Sequence, residues 1–165
     1  MLQTLKLPLS DFSNKDEHNL WQVVNDSVMG GQSVGSILFQ DGKAVFSGEV
    51  SLKNYGGFTS IRKSFSPQKI NLFTTAFIHL KGDGKNYQFR VKANAGDWHS
   101  YKYEFSTSGK WEIITIPLNH MIPTYRGNTP DLPNFEPGNL SQIGFLIANK
   151  KAEKFELRIG EIWLE

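Results

Sequence analysis

The chain is 165 residues long, enough for one core to bury about two thirds of the unfolded surface without a covalent staple. It contains no cysteine, which excludes disulfides, thiolate zinc sites and a cysteine nucleophile and fits a reducing compartment. The formal net charge is +2, with Lys and Arg interspersed among acids, so the basic footprint of a nucleic-acid binder is missing.

In chain order, Met1-Leu-Gln-Thr-Leu-Lys-Leu-Pro8 lacks the continuous apolar run of a secretory signal, and no stretch reaches the roughly 20 apolar residues of a membrane span. These observations predict a cytoplasmic protein that is not membrane-embedded, folded as a single domain over residues 1–165. A short helix is expected near Lys15 to Leu20. Two polar segments then carry adjacent glycines beside large apolar residues: Trp21-Gln-Val-Val-Asn-Asp-Ser-Val-Met-Gly-Gly-Gln-Ser33 and Asn54-Tyr-Gly-Gly-Phe-Thr-Ser-Ile-Arg62. Left-handed backbone costs residues with a Cβ about 1–2 kcal/mol, so both segments are expected to be defined loops and not linkers.

Period-two alternation dominates the rest. Tyr87, Phe89, Val91 and Ala93 alternate with Gln88, Arg90 and Lys92, and Tyr101, Tyr103 and Phe105 with Lys102 and Glu104, the pattern of half-buried strands. Further strands are predicted around residues 34–39, 43–52, 57–65, 73–81, 111–118, 141–149 and 154–164. Asp41-Gly42 and Asp83-Gly84 read as hairpin turns and Thr107-Ser-Gly109 as a loop; Pro67 to Leu72 is the alternative place for a short helix. From His120 to Asn139 a long loop carries Pro123, Pro130, Pro133, Pro137 and Arg126, and its length hints at function. In the last segment Phe155, Leu157 and Ile159 share one parity and Ile162 and Leu164 the other, which predicts a bulge at Gly160-Glu161. About nine or ten short strands with at most short helices make an all-β antiparallel sandwich.

Several blocks together resemble one family. Trp21, Asn25-Asp-Ser-Val-Met-Gly-Gly31 with Ser33, Phe46-Ser-Gly48, Gly56-Gly-Phe58 with Ser60 and Arg62, Gly82-Asp-Gly84 with Tyr87, Pro117, Arg126-Gly127 and Ile143-Gly144 are similar to the complex I intermediate-associated protein 30 (CIA30) family. The resemblance implies a galactose-binding-domain-like jelly roll and a chaperone-like, non-enzymatic role in assembling respiratory complex I (NADH:ubiquinone oxidoreductase), with respiratory complex subunits as protein partners. Carbohydrate or small-ligand binding is the alternative that the fold analogy favours, and a hydrolase is a second alternative. Carbohydrate-binding modules that share the jelly roll often hold a structural calcium between the first and last strands. Asp11 and Glu161 loosely resemble those two ends, although calcium takes six to eight oxygen ligands. No other cofactor is implied.

Among individual residues, Asp26 and Arg62 are the charges tied most closely to the Gly-Gly loops. As a ligand clamp, Arg62 would grip a carboxylate or phosphate through its planar fork. As structure, a shielded Asp26 would bond loop amides and pair with Arg62. Met29 is read as a flexible contact residue or a core filler. Trp98, in Ala95-Gly-Asp-Trp-His-Ser100, is less easily placed in the core than Trp21, Trp111 or Trp163, and suits a sugar ring, a protein interface or simple packing over the end of the sandwich. The face made by the two Gly-Gly loops and the loop around Arg126 is the expected partner site. Gly31-Gln-Ser-Val-Gly35 matches a nucleophile elbow in letters only, because the strand, helix and α/β sheet that such an elbow needs are missing. His18, His79, His99 and His120 show no ligand spacing.

Overall fold

The computed structural model describes residues 5–165, within which twelve strands form two antiparallel sheets. They are β1 (Leu7–Ser10), β2 (Trp21–Asn25), β3 (Val34–Gln40), β4 (Lys43–Val50), β5 (Thr59–Lys69), β6 (Thr75–Lys81), β7 (Asn86–Lys92), β8 (Ser100–Ser106), β9 (Trp111–Pro117), β10 (Ile122–Thr124), β11 (Asn139–Ile147) and β12 (Glu153–Leu164). The first sheet runs β3-β4-β12-β6-β9 with β1 added to β12; the second runs β10-β8-β7-β11-β5-β2. Their inner faces share one core. Ala76, Ile78 and Leu80 of β6 and Phe155, Leu157 and Ile159 of β12 meet Tyr87, Phe89 and Val91 of β7 and Ile143, Phe145 and Ile147 of β11. Period-two alternation produces this arrangement, since it puts every second side chain on one face of the pleat.

Turn chemistry explains two connections differently. Asp41 and Gly42 both have positive φ (53° and 72°) and join Gln40 to its partner Lys43 in the β3–β4 hairpin, the geometry a two-residue primed turn requires. Asp83-Gly84 is not a hairpin turn: it carries the chain from β6 in the first sheet to β7 in the second. The Asp83 carboxylate accepts bonds from Tyr87 Oη (2.8 Å) and the Glu156 N–H (2.8 Å), which pins the crossover to both sheets.

The expected bulge is present. The β12–β6 register passes from Ile159↔Leu80 to Ile162↔Ile78, one extra residue that keeps all five apolar side chains of β12 buried. Lys15–Leu20 is a short 3-10 helix, whereas the helix expected from Pro67 is absent, because β5 continues to Lys69 opposite Asn139 of β11. Long-range pairing overrides the local proline signal there.

Strand direction sorts the loops into two ends. Residues 26–33, 51–58, 83–85, 107–110 and 148–152 lie at one, here the upper end; residues 93–99 and 118–138 lie at the lower end.

Candidate functional site

Asp26 is the hub of the upper end. It is 1% exposed and accepts four hydrogen bonds: Ser33 N–H (2.9 Å), Ser33 Oγ–H (2.5 Å), Gly57 N–H (2.7 Å) and Phe58 N–H (3.2 Å). Burial alone would raise its pKa, but the bonds from Ser33, Gly57 and Phe58 outweigh this and hold the carboxyl below the ordinary value. Each Gly-Gly pair divides the same labour. Gly30 and Gly57 take positive φ (88° and 146°), while a Cβ on Gly31 or Gly56 would overlap the Asp26 carboxylate. The two loops are thereby clamped onto one buried charge, and they present Val28 (72% exposed), Met29 (57%), Leu52 (45%) and Tyr55 (102%) to solvent.

Arg62 is not a partner of Asp26. It stands exposed on the outer face of β5, and none of the ion pairs among the described residues includes it. The buried pair that does exist lies elsewhere: Lys63 Nζ sits 2.7 Å from Glu17 Oε1 and donates to the Leu9 carbonyl at 2.8 Å. Glu17 also accepts from Ser10 Oγ and from Trp21 Nε1. Lys63 falls on the inward parity of β5 with Thr59 and Ile61. A lysine at an inward position was the signal that could have exposed this network.

Trp98 and Arg126 do come together. Trp98 is 57% exposed and stands edge-on to Tyr125, with centroids 5.2 Å apart and planes at 87°; the Arg126 guanidinium lies 5.3 Å from the same Tyr125 ring. His99 packs between Trp98 and Tyr101. This cluster is at the lower end, so the structure divides the expected partner site: Asp26 and Met29 at one end, Trp98 and Arg126 at the other, Arg62 on the sheet between them.

The remaining candidates have plain surroundings. The Asp11 carboxylate is occupied by the N–H and Oγ of Ser13 (3.0 and 2.7 Å), which together with Lys43 lower its pKa despite slight burial. Glu161 faces Lys6 at 3.8 Å. Among the described residues no three His, Cys, Asp or Glu side chains are grouped to hold a metal. The Ser33 hydroxyl is committed to Asp26 and precedes a strand, not a helix.

Fold and topology together define an all-β, antiparallel jelly-roll sandwich. The model of the complex I intermediate-associated protein 30 (CIA30) family matches residues 10–159, and the chain belongs to that family. An uncharacterized protein of Schizosaccharomyces pombe is 28% identical over 166 residues, covering 86% of this chain and 76% of the relative. Among solved structures, the family 11 carbohydrate-binding module of the cellulosomal cellulase Lic26A-Cel5E of Clostridium thermocellum superposes with a TM-score of 0.72 at 17% identity, covering 99% of this chain and 95% of that one. The Clostridium thermocellum family 11 module in complex with a β-1,3-1,4-mixed-linked tetrasaccharide gives 0.67 at 18% identity, covering 96% and 94%. No helix among the described residues is long and apolar enough to cross a membrane.

Proposed function

We propose that this chain is a cytoplasmic, non-catalytic assembly module that docks a protein partner at its upper end, the partner being a subunit or intermediate of respiratory complex I. One observation carries the reading: two loops fixed to a single buried carboxylate hold four apolar side chains in water. Exposed apolar groups on a rigid platform suit protein association, because little ordering entropy is lost when the partner arrives. The family description supplies the partner class. In cells that make complex I, affinity capture of the tagged chain is expected to retain complex I subunits, and the Met29→Ser, Tyr55→Ser double variant is expected to lose them with its melting temperature unchanged. Capture of no complex I subunit by the wild type would overturn the reading.

A second reading, sugar binding, is favoured by the half-exposed Trp98 standing against Tyr125. Quenching or enhancement of tryptophan fluorescence by an oligosaccharide, lost in Trp98→Ala, would support it.

A further inference from the structure

The outer face of the second sheet carries a feature that neither reading uses. Tyr87, Phe89 and Val91 point inward from β7, which leaves Gln88, Arg90 and Lys92 on the outer side. Register places Gln22, Arg62, Gly144, Arg90, Lys102 and Ile122 side by side across six strands. Two guanidinium-bearing strands therefore flank β11 at Gly144, their main chains about 10 Å apart at two strand spacings, with Lys102 one strand further on.

Gly144 leaves the floor between them bare. A Cβ there would stand 2.5 Å from the Ile61 carbonyl and 3.2 Å from Arg62 Cβ, so the fold admits no side chain at that point. The face is also recessed: Gln88 and Leu146, although outward, are 7% and 6% exposed. Its outer counterpart on the first sheet instead displays Leu38 and Ile113 at 62% and 55%.

The cations of this face are not ion-paired. None of the ion pairs among the described residues includes Arg62, Arg90, Lys92 or Lys102. Arg90 Nε is held by Gln88 Oε1 at 3.0 Å, and burial pushes its pKa down to about 10. Lys92 is lowered by burial and then by the charge of Arg62. Two acids border this face: Glu104 shares the outward parity of Lys102 and stands exposed opposite Gln88, and Asp97, whose carboxylate accepts the Asn94 N–H, acts on Lys92 in the raising direction against those two causes. Lys92 Nζ reaches the Asp97 carbonyl at 2.8 Å, one residue before Trp98, so the cationic row and the Trp98–Tyr125 pair adjoin.

The geometry points to an acidic oligosaccharide on this face, a linear chain of uronic acids whose carboxylates seat against Arg62 and Arg90 over Gly144 while a sugar ring lies against Trp98. Planar forks on either side of a bare strand suit bidentate carboxylate binding, and an aromatic face takes the apolar side of a sugar ring. The inference rests on the sugar-binding reading for its carbohydrate frame and on the row alone for its charge.

The test is calorimetric titration of the full chain with an oligogalacturonate, its fully methyl-esterified form, oligoglutamate and inorganic sulfate, at low and moderate salt. The oligogalacturonate is expected to bind, more weakly as salt is raised, and each of Arg62→Gln and Arg90→Gln to lose about tenfold or more in affinity, the scale of a charge-assisted contact. Arg62 is exposed, so its variant keeps the test valid if Arg90→Gln folds poorly. Equal binding of the esterified oligomer would overturn the charge selection and leave the sugar reading standing. Equal binding of oligoglutamate or sulfate would overturn the sugar and leave a general anion slot. No binding of any probe would overturn the inference and leave the sugar reading to the Trp98 fluorescence titration.

Discussion

Asp26 at the upper end and Arg90 on the outer face of the second sheet are ionised groups withdrawn from water, and they differ in what surrounds them. Asp26 accepts four hydrogen bonds and its pKa lies below the ordinary value, so the folded protein favours its charge. Arg90 has one side-chain acceptor and no counter-acid, and its pKa is also lowered, so the folded protein disfavours its charge. The same direction of shift has opposite meaning for an acid and a base. A compensated buried charge builds structure; one without a counter-charge costs stability.

The largest effect should come from removing the compensated charge. Asp26→Ala strands the N–H groups of Ser33, Gly57 and Phe58, at about 1–3 kcal/mol for each unsatisfied buried donor, so a loss of about 3–5 kcal/mol is expected in urea denaturation. Arg62→Ala, on an exposed side chain, should change stability by less than about 0.5 kcal/mol. A small loss for Asp26→Ala would break the comparison at its first term. Next comes the uncompensated charge with the sign reversed. Arg90→Met should raise stability by about 1–2 kcal/mol, taking about 1.4 kcal/mol per pKa unit and discounting for partial exposure, while anion binding is lost. Destabilisation on this substitution would mean that Arg90 is held for packing.

Acid should separate the two groups as well. Because the folded-state pKa of Asp26 is depressed, its contribution is complete above the unfolded-state value and is lost as pH falls through the folded one, that is, below about pH 4. Asp26→Asn should be less stable at neutral pH and show a shallower fall in denaturation midpoint between about pH 4 and pH 2. An unchanged slope would assign acid sensitivity to other carboxylates.

What the sequence made legible follows the range of the interactions. The β3–β4 turn, the β12 bulge and both Gly-Gly loops are local, and their residues state the backbone geometry directly. β1, β2 and β10 were not predicted: each is short, β1 and β10 contain Pro8 and Pro123, and each exists by pairing with β12, β5 or β8 far along the chain. Asp83-Gly84 has hairpin letters, yet the strand it leads to belongs to the other sheet. Trp111 fits the core more easily than Trp98 by its sequence context, yet it is 40% exposed, on the outer face beside His79. The Asp26 hub was half legible, since loop amides were expected as its partners and Arg62 was not found there. The row of Arg62, Gly144, Arg90 and Lys102 takes one residue from each of four strands, so no spacing within the sequence could show it.

The smallest expected stability change is also the sharpest test of the upper end. Met29→Ser and Tyr55→Ser remove side chains that are 57% and 102% exposed, and substitutions away from buried features usually stay within about 0.5 kcal/mol. If both loops are fixed by Asp26 and the apolar tips serve only a partner, the double variant should melt with the wild type and lose capture of complex I subunits. Tyr55 holds a positive φ of 61°, a conformation that costs a residue with a Cβ about 1–2 kcal/mol, and serine inherits that strain without relieving it. Replacing Tyr55 by glycine instead should recover part of that cost and so raise stability, while still removing the aromatic contact. Stability and capture would then move in opposite directions, which is the result that separates a surface kept for binding from one kept for folding.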